Sequence, residues 1–216
     1  MQIAFPNDMT VYDAIIFDCD GTLVDSMPIH FKAFSKAFRA HGLIEPLNEH
    51  LFYTLGGVPT RRVAQILADH HHIAIDPEAI FHEKEQNYLE ILPEVTEIVP
   101  VADFARRVSK THHVAVASGG PRDVVQRTLQ YAGLDRVFST VISADDVPQG
   151  RGKPAPDMFL LAAKRLGAEP GRCLVFEDAQ AGIEAARAAG MAYVYVPSQS
   201  LHISPSPSPA LASPAN

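Results

Sequence analysis

The chain has 216 residues and a formal charge of −7, from 25 acidic against 18 basic side chains, which argues against a nonspecific polyanion binder with a basic face but leaves small phosphorylated ligands open. A hydrophobic content of 47% excludes global disorder and suffices for one large domain or two unequal ones. Two cysteines cannot make a disulfide framework, no basic residue precedes the first apolar stretch, and no apolar run approaches the ~18 residues of a membrane span, so we expect a soluble cytoplasmic protein with reduced thiols, no membrane and no nucleic-acid partner.

Along the chain, Ala14–Phe17 is a short apolar run that reads as a buried strand. Asp18-Cys19-Asp20-Gly21 follows it directly. Ligands of parallel α/β sheets bind beyond the carboxyl ends of strands, which is where this acid pair is delivered. Two residues apart in an extended segment, Asp18 and Asp20 are expected on one side, where they repel unless a cation intervenes or one keeps its proton. The competing reading is a simple Asx-type turn.

From about Pro28 to Pro93 no convincing strand occurs. Phe31, Phe34 and Phe38, then Val63, Ile66 and Leu67, then Tyr88, Ile91 and Leu92 repeat a helical stripe, so a helical insertion over about residues 26–92 is expected. The run His70-His71-His72 cannot converge on one metal ion from a helix, where successive residues point about 100° apart, and is expected to be a solvated helix end.

The buried-strand pattern resumes at Val114–Ala117, Val141–Ser143, Cys173–Phe176 and Ala192–Val196, with helical patterns between most of them. Gly42, Gly133, Gly167 and Gly190 each stand where a helix wants a left-handed C′ residue. The fold class is therefore α/β, a Rossmann-like parallel sheet of residues 1–25 and 93–197 interrupted by the α-helical insertion. Residues 198–216, rich in Ser and Pro and without a charged side chain, are expected to be a disordered tail.

Three further segments carry chemically useful residues. Ser118-Gly119-Gly120 offers a hydroxyl and free N–H groups at a helix start, an anion cradle, although Gly-rich strand ends are common. Gly152-Lys153-Pro154-Ala155-Pro156 holds one lysine in a stiff loop before the helix Pro156–Leu166, suited to a phosphate or to the aspartates. Glu177-Asp178 after Cys173–Phe176 adds two carboxylates, and such an oxygen-only donor set suits a hard ion such as Mg²⁺. An acid cap on the helix Ala179–Ala189 would explain one acid but hardly four.

In this order, DCDGTLVDS (18–26), ASGG (117–120), GKPAPDMF (152–159) and FEDAQAGIEAARAAGM (176–191) resemble the haloacid dehalogenase superfamily, and in particular its capped phosphotransferases, from about Tyr12 to Val196. The resemblance implies that Asp18 is the nucleophile forming an aspartyl-phosphate, and that Asp20 protonates the leaving alkoxide and then deprotonates water. It further implies Mg²⁺ bound by Asp18, the Asp20 carbonyl and Asp178 with Glu177 at or beside the ion, phosphoryl oxygens held by Ser118 and Gly119, and Lys153 offsetting negative charge. A halide leaving group needs no proton, so the second aspartate favours phosphoryl transfer over dehalogenation.

Substrate choice is expected in the cap, with hinges near Val24–Met27 and Leu92–Val95. Gly56-Gly57-Val58-Pro59-Thr60-Arg61-Arg62-Val63-Ala64-Gln65 and Glu83-Lys84-Glu85-Gln86-Asn87-Tyr88 look like sugar-phosphate members, and His30 matches a hinge-side histidine of β-phosphoglucomutases. Arg62 and Lys84 are candidate substrate-binding residues, against the reading of solvated helix charges. Where mutases carry a serine and a lysine after the second motif, this sequence has Gly120 and Pro121, with Arg122 the one candidate to compensate. The leading expectation is a Mg²⁺-dependent phosphatase of a small sugar phosphate of the fructose-1-phosphate type, a monomer or weak dimer. A β-phosphoglucomutase is the alternative, and a phospho-accepting switch domain the remote one.

Overall fold

The computed structural model describes residues 3–55 and 58–197; the expected tail 198–216 and the pair Gly56-Gly57 lie outside the described residues. Five strands, β1 (Ala14–Phe17), β4 (His113–Ala117), β5 (Thr140–Ile142), β6 (Cys173–Glu177) and β7 (Ala192–Tyr195), form one sheet in the order β5-β4-β1-β6-β7. Every pairing in it is parallel. Such a sheet needs cover on both faces, which is why its central strands are apolar throughout instead of alternating.

Alternate residues of β1 serve opposite layers. Ile15 and Phe17 face a cluster built from α5 (Val99–Val108) and α6 (Arg122–Tyr131), and Ala14 and Ile16 face one from α7 (Asp157–Leu166) and α8 (Gln180–Ala188). The N-terminal segment joins the first layer, where Phe5 packs 4.8 Å from Phe104 and 5.9 Å from Phe176. Gly42, Gly133, Gly167 and Gly190 all adopt positive φ after their helices, 97°, 68°, 68° and 72°. Cys19 and Cys173 are free and buried. Among the described residues no helix is long and apolar enough to cross a membrane.

The stretch between β1 and β4 holds α1 (Met27–Ala40), α2 (Glu49–Thr54), α3 (Thr60–His70) and α4 (Pro77–Ile91). Phe34, Phe38, Phe52, Val63, Leu67 and Ile80 give these helices a core of their own. That core does not account for the whole insertion. Ile29 and Ala33 of α1, and Tyr88 and Leu92 at the end of α4, pack instead into the sheet's first layer. The base of the helical insertion is thus built into the body that carries the strands.

Where the chain leaves and re-enters the sheet, β2 (Val24–Asp25) pairs antiparallel with β3 (Thr96–Glu97), and the Ile98 N–H donates to the Leu23 carbonyl at 2.8 Å. Sequence patterning misses this two-residue ribbon, which ties the first expected hinge segment to the residues directly after the second.

The solvated helix end expected at His70-His71-His72 is corrected in part. His70 closes α3 and is exposed, but the His71 ring is 5% exposed and points inward. Its Nδ1 meets Glu45 Oε1 at 2.5 Å, and its Nε2 accepts the Asn48 N–H at 3.0 Å. An imidazole with one nitrogen on a carboxylate and the other on a backbone donor secures the α1–α2 loop, a role that helical periodicity cannot show.

Candidate active site

Parallel register brings the motifs to one edge. Phe17 is level with Val116 on β4 and Phe176 on β6, so Asp18, Ser118 and Glu177-Asp178 emerge side by side from three adjacent strands. The Asp18 N–H donates to the Phe176 carbonyl at 2.9 Å, and the Ser118 N–H to the Ile142 carbonyl at 2.9 Å, fixing both first residues beyond their strands.

Lys153 arrives from the loop before α7. Its ammonium donates to Asp18 Oδ1 at 2.5 Å and to Glu177 Oε2 at 2.7 Å, with the side chain 11% exposed. Glu177 Oε1 accepts the N–H of Ala179 at 3.1 Å; Ala179 is the N-cap residue of α8, and no side chain caps the helix itself. Asp178 Oδ1 accepts the Thr22 hydroxyl at 3.0 Å. Oxygens of Asp18, Glu177 and Asp178 all lie within 4.8 Å of one another.

Two buried acids on one ammonium, with the half-buried Asp178 beside them, leave excess negative charge. Burial first, and then the neighbouring Glu177 carboxylate, push the Asp18 carboxyl well above its ordinary range, with Lys153 opposing. Burial and Glu177 also raise Asp178. Burial alone would lower Lys153, yet its two carboxylate partners hold it above the usual lysine value, so it stays charged. Hard oxygen donors, burial and uncompensated negative charge fit a divalent cation such as Mg²⁺.

The two first-motif acids have different partners. The Asp20 Oδ1 accepts the Ser26 hydroxyl at 2.6 Å and lies 3.6 Å from His30 Nε2 of α1. Gly21, at φ 91°, turns the chain sharply after the acid pair, and a Cβ there would lie 2.3 Å from Asp178 Oδ2. Ser26 occupies the N-cap position of α1 but makes no side-chain cap; its hydroxyl goes to Asp20 instead. Burial alone would raise Asp20, but hydrogen bonding to His30 and Ser26 and the charge of Lys84 bring it below its ordinary value. Burial, with Lys84, lowers His30, which is neutral near pH 7.

Of the two cap candidates, one joins this group. Lys84 is 2% exposed, donates to Glu85 Oε1 at 2.8 Å and lies 4.9 Å from the centroid of the Tyr88 ring, which also stacks on His30 at 4.2 Å. A solvated helix charge does not describe it. Arg62 is exposed in the first turn of α3, and its guanidinium makes no hydrogen bond or ion pair among the described residues. Ser118 is buried and accepts the Gly120 N–H at 3.2 Å, while Gly119 is exposed at the edge. Arg122 is held elsewhere: its guanidinium pairs with Asp146 and donates to the Val141 carbonyl at 3.3 Å on the edge strand.

Sequence reasoning singled out neither Thr22 nor Ser26 for a role, although both stand in the loop that follows the acid pair. The usable signal was a hydroxyl residue close behind two acids, each with a carboxylate within reach, Asp178 for Thr22 and Asp20 for Ser26.

Residues 12–190 match the haloacid dehalogenase-like hydrolase family. The chain belongs to that family. It is 38% identical over 180 residues to the Escherichia coli (strain K12) fructose-1-phosphate phosphatase YqaB, covering 83% of this chain and 94% of that protein. It is 32% identical over 187 residues to a Thermotoga maritima phosphorylated carbohydrates phosphatase, covering 85% and 84% respectively. A crystal structure assigned to a beta-phosphoglucomutase from Thermotoga maritima superposes with a TM-score of 0.67 at 31% identity, covering 83% of this chain and 82% of that one. This family member is a phosphoric monoester hydrolase.

Proposed function

We propose that this hydrolase is a Mg²⁺-dependent phosphatase acting on small sugar phosphates of the fructose-1-phosphate type through an aspartyl-phosphate on Asp18. The observation that carries the reading is the Lys153 bridge between Asp18 and Glu177, with Asp178 beside it. The E. coli relative named for fructose 1-phosphate supports the substrate class.

Asp18, the Asp20 carbonyl and Asp178 would hold Mg²⁺, with Glu177 beside them; the ion supplies charge neutralisation at the phosphoryl group. Lys153 opposes the burial that favours the protonated form of Asp18 and aims its carboxyl group. An Asp18 oxygen attacks phosphorus as the bond from phosphorus to the sugar oxygen breaks, and that oxygen takes a proton from the Asp20 carboxyl. Asp20 then removes a proton from the water that attacks phosphorus. The bond from phosphorus to Asp18 breaks, returning the carboxylate and releasing inorganic phosphate. The Ser118 hydroxyl already accepts from the Gly120 N–H, so its own proton is free for a phosphoryl oxygen, with the Gly119 N–H beside it.

In the arrangement described, Asp20 is poised as a base. To act first as an acid it must take up a proton, which weakens its bond from the Ser26 hydroxyl. Residues 26–92 serve as the cap, and His30 and Lys84 face the substrate from it, Lys84 being the stronger candidate than Arg62 because it is buried beside Asp20.

Hydrolysis is preferred over mutase chemistry because the residue that stood to replace the mutase lysine, Arg122, is committed to Asp146 and Val141. A panel of sugar phosphates tests the choice, read once as released phosphate and once as isomerised glucose phosphate with a bisphosphate primer. Phosphate release from a fructose-1-phosphate-like substrate in excess of isomerisation is expected; isomerisation outrunning release would establish the mutase.

A further inference from the structure

Gly182 stands in the first turns of α8, buried and outside the left-handed region of backbone space. Nothing about its conformation calls for glycine, and alanine is the better helix former at such a position. Its surroundings give a different reason. A methyl group placed there would lie 2.0 Å from both Cδ and Oε2 of Glu177 and 2.5 Å from its Cγ. Oε2 is the atom that receives the Lys153 ammonium.

Glu177 has nowhere to retreat. It is 1% exposed, its Oε1 takes the Ala179 N–H, and its Oε2 takes Lys153. Among the described glycines only Gly182 and Gly21 would bring a Cβ within 3.0 Å of another atom, and in both cases the atom belongs to one of the paired acids at the end of β6, Glu177 or Asp178. Gly21 has its positive φ as a second reason to be glycine. Gly182 has the carboxylate alone.

We propose that Gly182 is a positioning residue: its missing side chain lets α8 press against Glu177, so that the Glu177 carboxylate holds the Lys153 ammonium on the Asp18 nucleophile. The inference rests on the proposed reaction for its kinetic consequence, while its steric part stands independently of any substrate. Glu177 then acts chiefly through Lys153, and Asp178, whose visible partner is the Thr22 hydroxyl, is left as the acid of the pair turned to the cation.

The test is a double-mutant cycle of Gly182→Ala with Glu177→Asp, since aspartate is one methylene shorter and withdraws from the space the new methyl needs. In the native background G182A is expected to lower kcat roughly 100-fold with KM within about threefold, as misplacing a reacting group by about 1 Å does. It is also expected to lower Tm despite the better helix propensity of alanine. In the E177D background the same substitution is expected to cost less than about threefold in kcat and to leave Tm unchanged or raised, because the two residues are in contact and their effects are not additive.

Full activity of G182A would overturn the proposal, as would a G182A loss that persists undiminished in the E177D background. If G182A does not fold, folding of the double variant supports the proposal, and failure of both overturns it. Should the native enzyme turn over no phosphate ester, the functional reading falls, and the Tm cycle still decides the steric claim.

Discussion

The Lys153 ammonium sits 2.5 Å from Asp18 Oδ1, and both groups are almost fully withdrawn from water. Burial and the neighbouring Glu177 favour the protonated form of Asp18 there, and the lysine is the group that opposes them. Replacing Lys153 with Met leaves Asp18, Glu177 and Asp178 as an uncompensated cluster. Activity is expected to fall by at least about 1,000-fold, a typical order for removing a charge-stabilising group from a reacting centre. The Tm is expected to drop more in the metal-free protein than in saturating Mg²⁺, because the cation replaces part of the missing charge. Thermal melts with and without Mg²⁺ check this; an equal drop in both would show that the acids do not depend on Lys153 for balance.

Ser26 governs the proton affinity of Asp20. Its hydroxyl donates to the ionised carboxylate, one of the interactions that hold Asp20 below its ordinary value against burial. Ser26→Ala removes a group that favours the charged form, so the Asp20 pKa rises. The first phosphoryl transfer needs Asp20 protonated, so the alkaline limb of kcat/KM that reports this group is expected to move to higher pH. Stability should fall by no more than about 1 kcal/mol, the worth of one hydrogen bond. A pH–rate series measures the shift, and movement of that limb to lower pH would contradict the assignment.

Lys84 and Arg62 separate on burial. Lys84 is enclosed beside Asp20, His30 and Tyr88, whereas Arg62 is exposed on α3. Lys84→Met is expected to raise KM for a sugar phosphate about tenfold or more, the loss expected when a charged partner to the ligand is removed. Arg62→Ala is expected to change it by less than about threefold, as for an exposed charge. Steady-state kinetics on both variants decide the ranking.

Asp146 offers a check on the fold away from the chemistry. Burial would raise its carboxyl, but Ser143 N–H and hydroxyl donors and the Arg165 and Arg122 guanidiniums bring it down to about 2. A depressed folded-state value contributes stability that is present above the unfolded value near 3.8 and is lost as pH falls through about 2. Asp146→Asn is expected to cost about 2 kcal/mol at pH 7, the free energy of a shift of that size. The deficit should vanish between about pH 4 and 2. Denaturation at several pH values measures it.

The sheet was legible because strands buried on both faces are written as unbroken apolar runs, and because glycines such as Gly167 and Gly190 mark where helices stop. The chemical edge was legible because each motif follows such a run directly: Asp18 after Phe17, Ser118 after Ala117, Glu177 within one residue of Phe176. The two-residue pair β2 and β3 was not, since so short a ribbon has no period to detect. The orientation of Asp20 toward Ser26 was hidden for another reason. Ser26 lies six residues beyond Asp20, across β2, and no local period brings its hydroxyl back to that carboxylate. Burial of Lys84 and of the His71 ring comes from tertiary packing of the helical insertion, and local sequence cannot distinguish such a side chain from a solvated one.

The most direct measurement is phosphate release from fructose 1-phosphate with Mg²⁺ by the native enzyme and by Asp18→Asn, each shown to be folded by its melting transition. The account expects steady multiple turnovers from the native enzyme and none above background from D18N, with Tm preserved or raised in metal-free buffer because one of three mutually repelling acids has been neutralised. Undiminished hydrolysis by a folded D18N would contradict it.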